Sequence, residues 1–210
     1  MTMTMTTISR FNDGIAVKEL TIMEHRITES STGLYRPEGT RILYINGEIR
    51  EDMACQFNLT LLALEAESPN EDITVYINSP GGSVSAGLSM IDTMDIVSCD
   101  VRTVCIGTAA SMGAWILMCG TKGKRFALPH SRVMLHQPLG GMYGPNQASD
   151  IKLMSDEMQR QKEELFFLVG QRTGQSLENI ERDCDRNFFL AAVHAREYGI
   201  IDGILRPHKG

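Results

Sequence analysis

Several features that mark common protein classes are missing from this chain. No apolar run approaches the roughly 18 residues that a membrane-crossing helix needs, so no membrane span is expected. Positive charge is not in excess: 20 Lys and Arg stand against 26 Asp and Glu, a formal net charge of −6. That balance argues against a non-specific nucleic-acid footprint or a polybasic membrane patch. Acidic tails and charge blocks are absent too, so the negative balance mainly favours solubility. Cysteine is sparse: the 5 residues Cys55, Cys99, Cys105, Cys119 and Cys184 form no Cys-x-x-Cys pair and stand at no metal-ligand spacing with histidine. Neither a disulfide framework nor a metal site is expected, and reduced thiols in a cytoplasmic compartment are the simplest reading. Met1 to Thr7 lacks the charged and apolar stretches of a secretory signal. Arg10 is soon followed by Asp13 and Glu19, unlike an Arg-rich, acid-poor mitochondrial presequence.

What is present is ordinary in bulk and particular in detail. With 210 residues and about 150 residues per typical domain, one domain with a terminal or inserted extra is the prior. Residues 1–40 read as an irregular arm, Thr-rich and broken by Gly and Pro, and 41–210 as the domain. Within the domain, short apolar runs alternate with helical periodicity. Strands are expected at Arg41 to Asn46, Ile73 to Ile77, Val101 to Ile106 (broken at Gly107) and Arg132 to Leu135. Helices are expected at Glu51 to Glu67, about Ser85 to Val97, Ser111 to Cys119, Ala148 to about Arg172, from Leu177 after the Ser176 cap, and Ala191 to Tyr198, the last closed by Gly199. Alternating strands and helices predict an α/β fold with a mostly parallel sheet.

The 19 glycines cluster beside residues that could carry chemistry. Gly107-Thr108-Ala109-Ala110-Ser111-Met112-Gly113 follows a strand and opens a helix, a near relative of Gly-x-Ser-x-Gly with Ala109 in the first Gly position. Such a turn exposes a serine hydroxyl among small neighbours; a plain N-cap serine is the bland alternative. His136 ends a strand, where open α/β sheets place ligands. Asn78-Ser79-Pro80-Gly81-Gly82-Ser83 also ends a strand, and paired glycines let backbone N–H groups face a ligand, although a tight turn explains them equally well. No phosphate loop is present, since neither Gly-Lys-Ser/Thr nor Gly-x-Gly-x-x-Gly occurs.

Together these segments are specific. Ile77 to Gly82, Ala109 to Ala114, Lys122 to Phe126, Pro129, Ser131 to Met134, His136 to Gly141, Thr173 to Ser176 and Glu197 to Asp202 resemble the proteolytic subunit of the Clp protease (ClpP), in that family's order and spacing, from about Arg41 to Ile204. The resemblance implies a ClpP/crotonase-like spiral of ββα units, with a protruding long helix (Ala148 to Arg172) and a Gly-rich strand (Gly140 to Pro145) for ring–ring contact. It makes Ser111 the nucleophile, His136 its base, and Gly82 and Met112 the oxyanion donors. Gly81, Leu139, Gly140, Gly141 and Met142 become substrate-binding residues. It further implies self-association into heptameric rings and a double-ring tetradecamer, an AAA+ Clp ATPase partner that uses the ATP, and unfolded polypeptides as substrates. No cofactor, metal, nucleic acid or membrane is expected, and the location is cytoplasmic.

One departure bears on activity. Where the family carries its triad Asp, the gap-free alignment of Cys184-Asp185-Arg186-Asn187-Phe188 places Asn187, with Asp185 the fallback and Asp183 farther off. An Asn accepts a hydrogen bond from imidazole but adds no charge to stabilise imidazolium. In a serine protease with a Ser-His-Asp triad, the same Asp-to-Asn change lowers turnover roughly ten-thousandfold. Weak activity alone is therefore expected, with a second ClpP-type subunit as the complement. A catalytically minor or structural subunit of a mixed complex is one alternative. A crotonase-like acyl-CoA enzyme is another, disfavoured because no carboxylate is seen poised for hydration chemistry.

Overall fold

The computed structural model describes residues 31–141 and 144–206. Strands β1 (Leu34–Tyr35), β2 (Ile42–Asn46), β3 (Ile73–Ser79), β4 (Val101–Ala110), β5 (Arg125–Ala127), β6 (Arg132–Leu135), β7 (Phe188–Ala191) and β8 (Gly203–Ile204) form one sheet. Helices α1 (Glu51–Glu67), α2 (Val84–Ile96), α3 (Met112–Met118), α4 (Ala148–Thr173), α5 (Leu177–Cys184) and α6 (Ala192–Tyr198) alternate with them. The fold is the expected mixed α/β architecture, consistent with the ClpP fold.

Alternation along the strands explains the layering. In β3 each second residue is buried, so Ile73, Val75 and Ile77 face inward while Thr74 and Tyr76 face out. Leu43 and Ile45 of β2 do the same, and parallel pairing sets Ile45 beside Ile77. Into the same core α1, which packs on α2 and β1, buries Met53, Phe57, Leu61 and Leu64 at three- and four-residue steps. Each such side chain contributes about 1.5–3 kcal/mol by leaving water. Glu51 and Asp52 in the first turn of α1 suit the positive end of the helix.

The order β1-β2-β3-β4-β5-β8 is parallel except for β1, which runs antiparallel to β2 and buries Leu34. The off-path pair is decisive for the site. The first half of β4, Thr103 to Cys105, pairs with β5; its second half, Thr108 to Ala110, pairs with β6. Between them lies Gly107, with φ +82°. The sequence suggests that the strand breaks there. Instead the chain bulges and continues to Ala110, and the register with β3 jumps from Ile77–Cys105 to Ser79–Ala109. The Asn78 carboxamide fills the bulge: its Oδ1 accepts from the Thr108 N–H at 3.2 Å, and its Nδ2 donates to Asn46 Oδ1 at 2.9 Å. The bulge thus hands β4 from one strand partner to another and carries its C-terminal end beside that of β6.

Strands β1, β5, β7 and β8 go beyond the sequence expectation. They are two to four residues long, too short for a period of two to declare itself. The expected Gly-rich strand, Gly140 to Pro145, is only partly described: Gly140, Gly141, Gly144 and Pro145 lie in no strand, and residues 142 and 143 lie outside the described residues.

Candidate active site

Ser111 occupies the step from β4 to α3. Its backbone holds φ +50°, ψ −133°, and it is the only non-glycine residue with positive φ among those described. A serine costs about 1–3 kcal/mol there, so the surroundings must enforce the conformation. They do: its N–H donates to Met134 O at 2.9 Å, and its carbonyl accepts from the Ala114 N–H at 2.8 Å. Behind it all seven residues of α3 are buried, and Trp115 Nε1 donates to Leu165 O of α4 at 3.3 Å. Ser111 is thus an N-cap by position, yet its hydroxyl makes no capping bond.

The Asn-Ser-Pro-Gly-Gly turn presses on Ser111 from one side. A Cβ on Gly81 would stand 2.5 Å from the Ser111 Cβ and 2.7 Å from Ala110 O, and one on Gly82 would run into the Ile49 carbonyl. Both glycines also have positive φ, +95° and +154°. Ser79 Oγ donates to Gly47 O at 2.6 Å and accepts from the Gly81 N–H at 3.1 Å. Ile49 bridges across, its N–H donating to Gly81 O and its carbonyl accepting from the Ser83 N–H, both at 2.9 Å. The Gly82 N–H is left over. Neither it nor the Met112 N–H bonds to another group among the described residues, the state in which a pair of donors can receive an oxyanion.

His136 follows β6 directly, one strand over from Ser111. Its Nδ1 lies 2.6 Å from Gln137 O. A carbonyl can only accept, so Nδ1 carries a proton, and Nε2 is the ring nitrogen that this contact leaves for the base role. No hydrogen bond joins Ser111 to His136; in unliganded sites such bonds often form only with substrate. Antiparallel β6 and β7 end their pairing at Leu135–Phe188, and one further step of the register sets His136 opposite Asn187. Asn187 is exposed and does not bond His136. Asp185 is engaged elsewhere: its Oδ1 and carbonyl accept from Gln137 Nε2 at 3.2 and 2.9 Å. The Gln137 N–H donates to Cys184 O at 2.7 Å. The loop after β6 is therefore latched to the end of α5, and the backbone carbonyl holding Nδ1 is a partner that no sequence pattern announces.

Ser111, His136, Gly81, Gly82, Met112 and Leu139 line one cleft of about 390 Å³. Pro80, Val84, Trp115 and Leu165 make its apolar wall. Gly140 and Gly141 are exposed just outside, with Gly140 packed over Met158 of α4, and Met142 lies outside the described residues. Glu48 also lines the cleft. Its loop reaches the site through the Ile49–Gly82 bridge and the bonds of Gly47 to Asn78 and Ser79, long-range contacts with no local signature. The cysteines do not compete as nucleophiles. Burial pushes the Cys105 thiol up to about 11 and those of Cys119 and Cys184 up to about 12, and exposed Cys55 is not in the cleft.

With a strained serine, two free amides and a histidine around one cleft, comparison with known families becomes decisive. The family model described as Clp protease matches residues 24–208. The chain belongs to the Clp protease family. The match extends beyond the span from Arg41 to Ile204 and contains every described residue. Membership makes the chain a ClpP-type peptidase, a serine peptidase among the hydrolases, and the family generally forms oligomeric rings with ATPase partners. It decides against the acyl-CoA reading. Among the described residues no helix is long and apolar enough to cross a membrane, and no group of three or more His, Cys, Asp or Glu could hold a metal.

Proposed function

We propose that this chain is the serine endopeptidase subunit of a self-compartmentalised Clp protease. Ser111 Oγ attacks the scissile carbonyl while His136 Nε2 takes its proton. The tetrahedral oxyanion accepts from the Gly82 and Met112 N–H groups, and collapse expels the amine, which leaves with the proton from His136. Water then hydrolyses the acyl-enzyme by the same relay, with Ser111 Oγ as leaving group. The observation that carries this reading is the enforced φ of +50° at Ser111, with the two unbonded amides and His136 on the same cleft. Substrates are unfolded polypeptides, delivered by an AAA+ ATPase to a double heptameric ring in the cytoplasm.

Activity alone is weak on this reading. His136 leans on the neutral Gln137 carbonyl, and the register-opposed residue is the neutral Asn187, so the Nδ1 side of the ring has no triad carboxylate to stabilise the imidazolium. A second ClpP-type subunit would complement it. The test is peptide hydrolysis with fluorophosphonate labelling of Ser111, in the isolated protein, with such a companion, and in Asn187→Asp. Slow labelling that Asn187→Asp accelerates by about tenfold to a thousandfold is expected, within the roughly ten-thousandfold that a triad Asp is worth in other serine proteases. Full activity in isolation, unchanged by Asn187→Asp, overturns the weak-activity claim. No labelling in any state leaves a structural subunit instead.

A further inference from the structure

Glu48 is the one acidic side chain on the Ser111 cleft, whose other lining side chains are those of Ser111, His136 and apolar residues. Its charged neighbours have partners: Arg50 donates to Asp52 at 3.0 Å, and Glu51 accepts from Ser83 Oγ at 2.7 Å. Glu48 is exposed and has no hydrogen bond or ion pair among the described residues, so it does not support the fold. Its backbone is nevertheless fixed. The next residue, Ile49, is fully buried and bonded to Gly81 and Ser83 on either side of Gly82, so the Glu48 backbone is anchored beside the oxyanion loop. An unpaired carboxylate on an anchored stretch of backbone that lines the cleft is available to whatever enters that cleft. His136 is the only other titratable side chain on the lining and is neutral when it acts as base, so the local charge is negative.

We propose that Glu48 is a specificity-determining residue that selects peptides presenting a cationic group beside the scissile bond, either a Lys or Arg side chain or a free α-ammonium. The inference rests on the peptidase reading and names its preferred substrate class. Apolar walls take the neighbouring side chain, and the carboxylate adds an ion pair that Asp or Glu in the peptide would turn into repulsion. The site is open to water, so the preference is modest, about three- to fivefold.

The test compares how matched peptides protect Ser111 from a fluorophosphonate, a readout that does not require fast turnover. Each peptide carries Lys, Met or Glu at one position around the cleavage site, with the N-terminus free or acetylated. The wild-type protein is expected to be protected about three- to fivefold better by Lys than by Met peptides. Glu48→Gln should abolish that difference while leaving protection by acetylated Met peptides unchanged, and Glu48→Lys should favour Glu peptides. A preference that persists on acetylation assigns the cation to a side chain, and one lost on acetylation assigns it to the α-ammonium. Equal Lys-to-Met ratios in wild type and Glu48→Gln, or an equal loss for every peptide, overturn the proposal. Absence of any labelling of Ser111 overturns the peptidase reading itself.

Discussion

The turn at Ser111 and the first half of α4 are made in opposite ways. Behind Ser111, α3 buries all seven of its residues, and the turn is hydrogen-bonded to β6 and wedged by Gly81. From Ala148 to Glu157, α4 exposes every residue, including the apolar Ile151 and Leu153 at 53% and 65%. Only its C-terminal part, through Leu165, Phe166 and Val169, is anchored in the core. One region is strained and held by the chain's own packing. The other is regular and held by almost nothing, with apolar surface of the kind that marks contact with another protein. The difference teaches that the turn at Ser111 is built by packing within the subunit, whereas the first half of α4 carries apolar surface that the described residues leave uncovered.

The comparison can be broken from either end. The largest effect belongs to the turn: Ser111→Ala is expected to lower peptide hydrolysis at least about a thousandfold, with the folded chain retained by circular dichroism. Next comes the clamp beneath the same core. Asp202 accepts from Arg125 Nη2 at 2.6 Å and Nε at 2.9 Å, and Arg125 is 4% exposed. Asp202→Asn should cost about 3 kcal/mol in urea unfolding at pH 7, because it strands a buried cation.

That clamp also has a pH signature. Burial opposes the Asp202 charge, but the Arg125 hydrogen bonds outweigh it and hold the carboxyl below its ordinary value. A depressed acid stabilises the fold above its unfolded-state pKa of about 3.9, and that stabilisation is lost as pH falls through the lower folded value. Wild-type stability should therefore decline in that acid range, and the gap to Asp202→Asn should narrow there.

Gly81→Ala sharpens the contrast at the site, since its Cβ would meet backbone and Ser111 rather than a movable side-chain end. A loss of about 2 kcal/mol of stability and about a hundredfold in labelling rate of Ser111 is expected. The smallest intrinsic effect is on α4. Leu153→Glu should change the unfolding free energy of the dissociated chain by under about 0.5 kcal/mol, while sedimentation shows the assembly falling apart. A large loss of monomer stability would mean that α4 is packed within the subunit after all.

Much of this is legible without coordinates where the signal is local. Helix α1 begins and ends where its periodicity and the following Ser68-Pro69 require, and Gly174 and Gly199 close α4 and α6 as αL residues. Ser111, His136 and Gly82 are readable from motifs that sit on strand ends. Other features escape for a common reason. Gly107 looks like a break because its partner, the Asn78 side chain, comes from another strand. Glu48 looks like an ordinary loop residue because long-range bonds of its neighbours Gly47 and Ile49 bring it to the cleft. Asn187 is identified by alignment, but the acceptor that actually orients His136 is the carbonyl of its neighbour Gln137.

By itself the sequence determined the alternation of strands and helices, the family, and the identity of the serine and histidine, because period, caps and short motifs are properties of neighbouring residues. Tertiary structure decided where β4 changes partners, which amides remain free, what holds the His136 Nδ1, and which carboxylate reaches the cleft. Each of those depends on groups distant in the chain competing for the same hydrogen bonds. That competition is settled only when the sheet has closed.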